Sequence, residues 1–261
     1  MKRLLAIVLV GFAIVLQSCL YERVVSHELK LVDIIQHSQK QAAWSYFDIN
    51  GDSVDEMLAT EVIPEYSPFY IADQSGKVMS QLNFPYPILS HTVLTDPRNS
   101  DAWLFLSFND QKAVYLSAHH YIWGRETKRE DKKFEAIGRT DDAEGSSRLD
   151  WNGNLYPEYL GDYDGDGQIE VICSALSGFS ANPRGIVAFD FESGKLKWYF
   201  RSPTIHTGFK IGDFDNNGEN ELVFGNIALK NTSQVINGID DMNGWAGVLD
   251  RKGTLIYHGK V

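Results

Sequence analysis

The chain has 261 residues, of which 43% are hydrophobic, and this is enough to bury a sizeable core in a single domain. Its formal net charge of −11 argues against a nucleic-acid-binding protein, because such proteins usually carry a basic face. An aromatic content of 12%, with 22 Gly and only 8 Pro, is typical of a globular β protein with many turns.

Residues 1–18 have the features of an export signal. Two basic residues precede an apolar run over residues 4–16, which is too short for a comfortable membrane span. The run ends in Leu16-Gln17-Ser18-Cys19, which resembles the cleavage box of bacterial lipoproteins. The resemblance implies cleavage before Cys19, lipidation of its sulfur and stable anchoring in the cell envelope. An ordinary signal peptide with a chance cysteine is the alternative.

Residues 19–41 are predicted to form a lipid-anchored tether. Leu20 follows the lipidated cysteine, and in the Gram-negative sorting rule an Asp there would favour the inner membrane. The resemblance therefore favours the outer membrane, facing the periplasm. Apolar residues in this segment fit both a strand and a helix, so periodicity leaves its structure open. Residues 29–37 are a candidate strand that would help to close the domain.

Three segments share Asp or Asn at positions 1, 3 and 5, Glu at position 9 and an apolar run directly afterwards. We name them the Asp48 loop (residues 48–56), the Asp162 loop (162–170) and the Asp213 loop (213–221). Crowded carboxylates repel one another unless a cation lies among them, and calcium prefers oxygen ligands. The EF-hand loop begins in the same way but has its Glu at position 12. Glu at position 9 before a β-like run indicates a loop that joins two strands, and three copies in phase make solvated acidic turns the weaker alternative.

The predicted calcium ligands are the side chains at positions 1, 3, 5 and 9 and the backbone carbonyl at position 7. They are Asp48, Asn50, Asp52, Val54 and Glu56; Asp162, Asp164, Asp166, Gln168 and Glu170; and Asp213, Asp215, Asn217, Glu219 and Glu221. The Asp162 loop has four carboxylates at these positions and the other loops have three. Position 6 must turn sharply, which Gly167 and Gly218 do without steric cost, whereas Ser53 is expected to be strained. The predicted affinity falls from the Asp162 loop to the Asp213 loop to the Asp48 loop.

A hairpin follows each loop, with Asp at the end of one strand and Gly in the turn: Asp73 and Gly76, Asp190 and Gly194, Asp250 and Gly253. The interval between the first two glycines is twice that between the last two, so a further unit is expected between the first and second loops. It falls on residues 94–106, where the acidic pattern is interrupted. Its hairpin strands are predicted at 121–123 and 134–137, on either side of a charged, solvated turn at 125–133.

Units of this length with four strands each predict an all-β fold, a small or truncated β-propeller of about four recognisable four-stranded blades over residues 42–261. The loops resemble those of the FG-GAP and VCBS repeat families, the calcium-loop propeller blades related to the integrin α-chain head. The hairpin over 188–198 also resembles blades of quinoprotein-like propellers. The resemblance implies bound calcium as the cofactor, but no single activity, because the family spans adhesins, lectin-like modules and a few lyases.

Two function classes remain open. The first is a non-enzymatic envelope module that binds a protein or a glycan and contacts the membrane only through its lipid. The second is an enzyme, either a polysaccharide lyase or a quinone-dependent dehydrogenase built on the same propeller. The seven His are scattered and no Ser-His-Asp or Cys-His set stands out, so no catalytic residue is predicted and the binding module is favoured. Trp151 and Trp245 lie in polar, Gly-rich surroundings and are candidates for stacking on a sugar, and Cys173 is predicted to be a buried structural thiol.

Overall fold

The fold is that of a computed structural model, which describes residues 42–61, 67–124, 126–139, 152–177 and 183–261. These residues belong to a unit that spans His37–Val261. The predicted signal peptide, the lipidation site Cys19 and the tether lie outside the described residues. No helix in the described part of the chain has the length and apolarity needed to cross a membrane.

The described residues form four antiparallel blade sheets and one separate two-stranded sheet, and the strands of each blade come from one continuous stretch of chain. The first blade contains β1 (Ala42–Phe47), β2 (Glu56–Glu61), β3 (Ser67–Ala72) and β4 (Val78–Phe84). The second contains β5 (Ile88–Thr95), β6 (Ala102–Asn109), β7 (Ala113–Ile122) and β8 (Lys128–Lys133), and the short β9 (Ile137–Gly138) adds to β7. The third contains β10 (Asn154–Gly161), β11 (Glu170–Leu176), β12 (Gly185–Asp190) and β13 (Leu196–Arg201).

The fourth blade begins with β14 (Ile205–Gly212) and β15 (Glu221–Ile227). A small separate hairpin of β16 (Val235–Ile236) and β17 (Ile239–Asp240) follows, and β18 (Trp245–Leu249) and β19 (Leu255–Lys260) then complete the sheet. The prediction of an all-β fold with four recognisable four-stranded blades is confirmed. The chain folds as a small β-propeller.

Hydrophobic clusters join consecutive blades. In β6, Phe105 packs in the cluster between the second and third blades, whereas its neighbours Leu104 and Leu106 pack in the cluster between the first and second. Val171 and Ile172 of β11 are divided in the same way between the second-to-third and third-to-fourth clusters. Alternate residues of a strand point to opposite faces, so an inner strand with apolar residues at every position is buried on both sides.

The charged segment of the second blade differs from its prediction. Residues 128–133 form the outer strand β8, so the prediction that they lie in a solvated turn was wrong. An outer strand has only one neighbour, and exposed charges along it discourage pairing with other chains. Phe134, which directly follows, is buried in the cluster with the third blade. The second strand of this hairpin is therefore Lys128–Lys133, which precedes the apolar segment 134–137 that the sequence indicated.

The turn glycines of the later hairpins lie against the preceding blade. Gly194 and Gly253 have φ values of 68° and 72°, in the left-handed region. A Cβ atom at Gly194 would lie 2.1 Å from the carbonyl oxygen of Lys133, and one at Gly253 would lie 2.4 Å from the ring of Trp198. Both the turn conformation and the contact between blades therefore require glycine here.

Candidate metal centre

Each acidic loop connects the first strand of a blade to the second. The Glu at position 9 is the first residue of β2, β11 or β15, and its side chain is buried in all three blades. In each loop this carboxylate accepts a hydrogen bond from the backbone N–H at position 2. The nitrogen–oxygen distances are 3.1 Å from Ile49 to Glu56, 2.8 Å from Tyr163 to Glu170 and 2.8 Å from Phe214 to Glu221.

The Asp at position 1 holds the turn together in every loop. In the Asp162 loop, Oδ1 of Asp162 accepts from the N–H of Gly165 at 2.8 Å, and Oδ2 accepts from the N–H of Gly167 at 3.0 Å. In the other two loops, Oδ2 of Asp48 and of Asp213 likewise accepts from the N–H at position 6. Oδ1 accepts from the amides at positions 4 and 5 in the Asp48 loop and from the amide at position 5 in the Asp213 loop. The three loops therefore share one backbone structure, as their common sequence pattern predicted. It turns the side chains at positions 3 and 5 towards the Glu at position 9.

The backbone amide at position 7 donates to the side chain at position 5. The distances are 2.9 Å from Val54 to Asp52, 2.8 Å from Gln168 to Asp166 and 2.7 Å from Glu219 to Asn217. These bonds fix the side-chain orientation at position 5. That the carbonyls of Val54, Gln168 and Glu219 act as ligands stays a prediction.

Two residues of every loop have a left-handed backbone, whereas the sequence indicated only one. Position 6 has φ values of 67° at Ser53, 84° at Gly167 and 86° at Gly218, so Ser53 takes a conformation that favours glycine. Position 4 has φ values of 77° at Gly51, 77° at Gly165 and 60° at Asn216. The signal for position 4 was present in the sequence, because Gly and Asn are the residues that most readily take this conformation.

The Asp213 loop brings its predicted ligands together. Carboxylate oxygens of Asp213, Asp215 and Glu221 all lie within 4.8 Å of one another. None of the described basic side chains forms an ion pair with these three residues. The nearby Arg251 instead binds Glu219, with 3.1 Å between Nη1 and Oε1. Three converging anionic oxygens without a protein cation suit a hard ion such as calcium.

The Asp162 loop also brings three acids within 4.8 Å, but a lysine lies among them. Lys197 of β13 places Nζ 2.7 Å from Oδ2 of Asp164, 3.1 Å from Oδ2 of Asp166 and 2.7 Å from Oε1 of Glu170. Burial lowers the pKa of Lys197, but bonds to the three carboxylates outweigh it and raise the pKa above the ordinary value. This ammonium takes the position in which the sequence predicted a metal ion.

Sequence reasoning missed Lys197 because it lies on the fourth strand of the blade, far along the chain from the loop. The sequence did contain a signal for this lysine, which appears when the three hairpins are aligned on their turn glycines. Lys197 stands three residues after the turn glycine Gly194, and the same place is taken by Met79 after Gly76 and by Ile256 after Gly253. A basic residue at this place therefore distinguishes the third blade from the first and the fourth.

In the Asp48 loop the amide of Asn50 takes the central position. Its Nδ2 donates to Oε1 of Glu56 at 2.8 Å and to Oδ2 of Asp52 at 3.1 Å. Of the three described loops, this one does not bring three acidic side chains within 4.8 Å. A cation here would require the Asn50 amide to turn its oxygen inward, so this loop fits an ion least well.

Two of the Glu side chains at position 9, Glu56 and Glu170, have pKa values that shift in the same direction. Burial raises the pKa of Glu56 and of Glu170 above the ordinary value for Glu. Neighbouring carboxylates add to the effect, Asp52 and Asp48 for Glu56 and Asp164 for Glu170. Each of these sites therefore favours a positive charge close to the Glu, since that would restore the carboxylate form.

Two further sequence predictions have structural outcomes. Trp245 is buried, and its Nε1 donates to the carbonyl of Asp240 at 3.0 Å, so its ring packs in the core and is not an exposed sugar platform. Trp151 lies outside the described residues. Cys173 is fully buried in β11, which confirms the prediction of a structural thiol.

Comparison with protein-family models and with curated sequences gives no match. Among solved structures, the chain is similar to the crystal structure of BBS1N in complex with ARL6DN, with a TM-score of 0.37 and 9% sequence identity. The similarity covers 86% of this chain and 69% of that chain. A likeness at this level assigns neither a family nor an activity.

Proposed function

We propose that the protein is a calcium-stabilised, lipid-anchored binding module of the bacterial cell envelope. One observation carries the calcium proposal: the loop that converges Asp213, Asp215 and Glu221 has the same backbone hydrogen bonds as two other loops in the chain. The resemblance to FG-GAP and VCBS repeats supports the choice of calcium. The lipoprotein-like box at Cys19 supports the location.

In this proposal the Asp213 loop is the principal site. Asp213, Asp215, Asn217 and Glu221 would hold the ion through side-chain oxygens, and Glu219 would add its carbonyl. A cation entering the Asp162 loop has to displace the ammonium of Lys197, and one entering the Asp48 loop has to turn the Asn50 amide. We therefore place the Asp213 loop first, which differs from the order obtained by counting carboxylates.

The ion has a structural role in this proposal, because each loop also contacts a neighbouring blade. Asn220 of the Asp213 loop donates to the carbonyl of Tyr163 in the preceding blade at 3.3 Å, and the other two loops contact the following blade. Tyr163, at position 2 of the Asp162 loop, donates its hydroxyl to the carbonyl of Asp250 at 2.8 Å. Trp123 of the second blade donates to the carbonyl of Ile49 at 3.4 Å. An ion that orders the loop therefore also stabilises the contact between neighbouring blades. In this way it maintains the structure of the surface that binds a protein or glycan partner.

The test is thermal unfolding of the full-length protein in mild detergent, with calcium and with excess chelator. Because calcium binds the folded loops, it should stabilise the fold by about 2.7 kcal/mol for one site at a 100-fold excess over Kd. Asp215→Asn should remove most of this gain. Asp55→Asn, at the non-ligand position 8 of the Asp48 loop, is the matched control and should keep it. An unchanged melting temperature in chelator, with no metal bound, would refute the proposal.

A further inference from the structure

A cavity of about 300 Å³ lies between the first strands of the second, third and fourth blades. Its walls include His91 of β5, Tyr156 and Glu158 of β10, and His206 and Thr207 of β14. These residues lie before the last three positions of their strands, whereas the acidic loops follow the strand ends. The cavity is therefore separate from the candidate metal centre, and we call it the first-strand cavity.

All three strands break their register where they line the first-strand cavity. The shifts lie between Ile88 and Ser90 in β5, between Pro157 and Tyr159 in β10, and between His206 and Phe209 in β14. The first strand of the first blade, β1, pairs with β2 without a shift. A bulge leaves a residue unpaired and redirects its side chain, and bulges are frequent next to functional sites. The unpaired residue of β10 is Glu158.

Glu158 is an exposed residue that brings a carboxylate to the cavity. Its Oε1 accepts a hydrogen bond from the hydroxyl of Ser174. Its Oε2 faces Gly208, where a Cβ atom would lie 3.2 Å away, and no described side chain donates a hydrogen bond to that oxygen. None of the described residues that line the cavity is Lys or Arg. One carboxylate oxygen thus remains available to a ligand with a positive charge or a strong donor.

His206 is a buried polar group that calls for a partner. Its side chain is 3% exposed, and among the described residues neither ring nitrogen has a hydrogen-bond partner. The ring packs edge-on against Phe224, with 4.8 Å between centroids. Buried polar atoms in folded proteins are nearly always hydrogen-bonded, so a molecule in the cavity is the natural partner.

The second imidazole that lines the cavity, that of His91, already has a hydrogen-bond partner within the protein. Nε2 of His91 lies 2.8 Å from the hydroxyl oxygen of Ser45. Burial lowers the pKa of both His91 and His206, so both rings are neutral at neutral pH and Glu158 sets the charge of the cavity. His91, Glu158 and His206 do not form a metal-ligating cluster among the described residues. The chemistry of the cavity therefore favours an organic ligand.

We propose that the first-strand cavity binds a small organic cation through an ammonium group held by Glu158. The ring of Tyr156 adds an aromatic surface at which a cation is stabilised, and Thr207 and His206 offer further hydrogen bonds. The volume is at the lower end for small-molecule sites and suits a diamine or a single lysine side chain. This inference names a ligand class for the proposed binding module, and in that respect it rests on the proposed function.

The test is calorimetric titration of the full-length protein in mild detergent with two sources of the ammonium group. Cadaverine represents a free amine, and a short lysine-containing peptide represents a protein partner. Pentanediol and the same peptide acetylated on its lysine are the neutral controls. Saturable binding of either ammonium probe, with no binding of its neutral control, supports the proposal and identifies the source. Failure of both probes, or equal binding of a control, overturns it.

Variants locate the site. Glu158→Gln keeps the shape of the side chain and should weaken binding of the ammonium probe at least about tenfold. His206→Phe keeps the ring packing and should also weaken binding. Glu130→Gln, on the exposed outer strand β8, is the matched control and should leave affinity unchanged. Unchanged affinity in Glu158→Gln overturns the proposal.

The outcomes for the cavity and for calcium can be told apart. Glu158→Gln should keep the calcium-dependent rise in melting temperature of the unmodified protein, which also shows that it folds. If the calcium effect is present but neither ammonium probe binds, only the cavity proposal fails. If an ammonium probe binds but calcium has no effect, only the calcium proposal fails.

Discussion

Lys197 places its ammonium nitrogen 2.7 Å from Oε1 of the fully buried Glu170, inside the loop with the most carboxylates. The loop that looks best suited to calcium by charge count therefore already contains a positive charge from its own blade. The Asp213 loop has one carboxylate fewer at its ligand positions, but its acids are free of basic side chains in the described part of the chain. We therefore expect relative calcium affinity to depend on a contact between distant strands as well as on the loops themselves.

Replacing Lys197 with Met, the residue at the equivalent place in the first hairpin, should open the Asp162 loop to calcium. In chelator the variant should lose about 1–3 kcal/mol of stability, because buried Glu170 is left without its partner. In calcium much of this loss should be recovered, and one more ion should bind per chain. Chemical unfolding and calcium titration measure both effects. Lys195→Met, at an exposed neighbour, is the control; a variant that responds to calcium like the unmodified protein would contradict the assignment.

Ser53→Gly should stabilise the protein. Ser53 has a φ of 67°, a conformation that costs a residue with a Cβ atom about 1 kcal/mol relative to glycine. The gain should appear as a higher denaturant midpoint with an unchanged slope. Gly51→Ala provides the opposite test, because Gly51 has a φ of 77° and open space around it, so only backbone strain should lower stability. Destabilisation by Ser53→Gly would show that the serine side chain has a role of its own.

The acid sensitivity of the fold should depend on His206. Burial lowers the pKa of His206 from the ordinary 6.5 to about 3, so the folded chain keeps this ring neutral while the unfolded chain takes up a proton. The unfolding free energy is therefore unaffected by this ring above about pH 6.5. It decreases as the pH falls from there towards 3, by up to about 1.4 kcal/mol per pH unit.

His206→Phe should therefore reduce the loss of unfolding free energy between about pH 7 and about pH 5, because the unfolded variant has one proton fewer to bind. Urea unfolding at the two pH values measures the difference. The exposed His258 provides the control, and His258→Phe should leave the pH slope nearly as it is. A slope that is the same in His206→Phe and in the unmodified protein would mean that the ring titrates normally.

Cys19→Ser tests the predicted location. The sulfur of Cys19 would carry the lipid, so the variant should remain as an uncleaved precursor and lose incorporation of labelled palmitate. Cys173→Ser is the matched control. Cys173 is buried in the core and should carry no lipid, so this variant should be labelled like the unmodified protein. Normal labelling of Cys19→Ser would exclude lipidation at this residue.

What the sequence predicted well is local along the chain. The hydrogen bonds that Asp162 accepts from the amides of Gly165 and Gly167 lie within a few residues, so the repeated pattern was enough to predict the turn and the strands on either side. Long-range contacts had no such signal. Lys197 enters the Asp162 loop from the fourth strand, and the first-strand cavity unites residues from three blades. The outer strand β8 was missed because its charged residues lack an apolar pattern.

Position 2 of the loops shows the same limit. Ile49 and Tyr163 are buried against the following blade, whereas Phe214 at the same position is 54% exposed. The three loops have similar sequences, so the difference comes from their neighbours. A pattern within one repeat predicts how that repeat folds, but the burial of its outer residues depends on the blade beside it.

The order of strands has a consequence for how the chain folds during synthesis. Each blade takes its described sheet strands from one continuous stretch, so none of these strand pairings waits for the far end of the protein. Contacts within a blade have low sequence separation, and such contacts form quickly. The first blade can therefore pair its strands while the last is still being made, and each new hairpin then docks on the blade before it. Exposed strand edges are short-lived under this order of events, which limits the time available for aggregation.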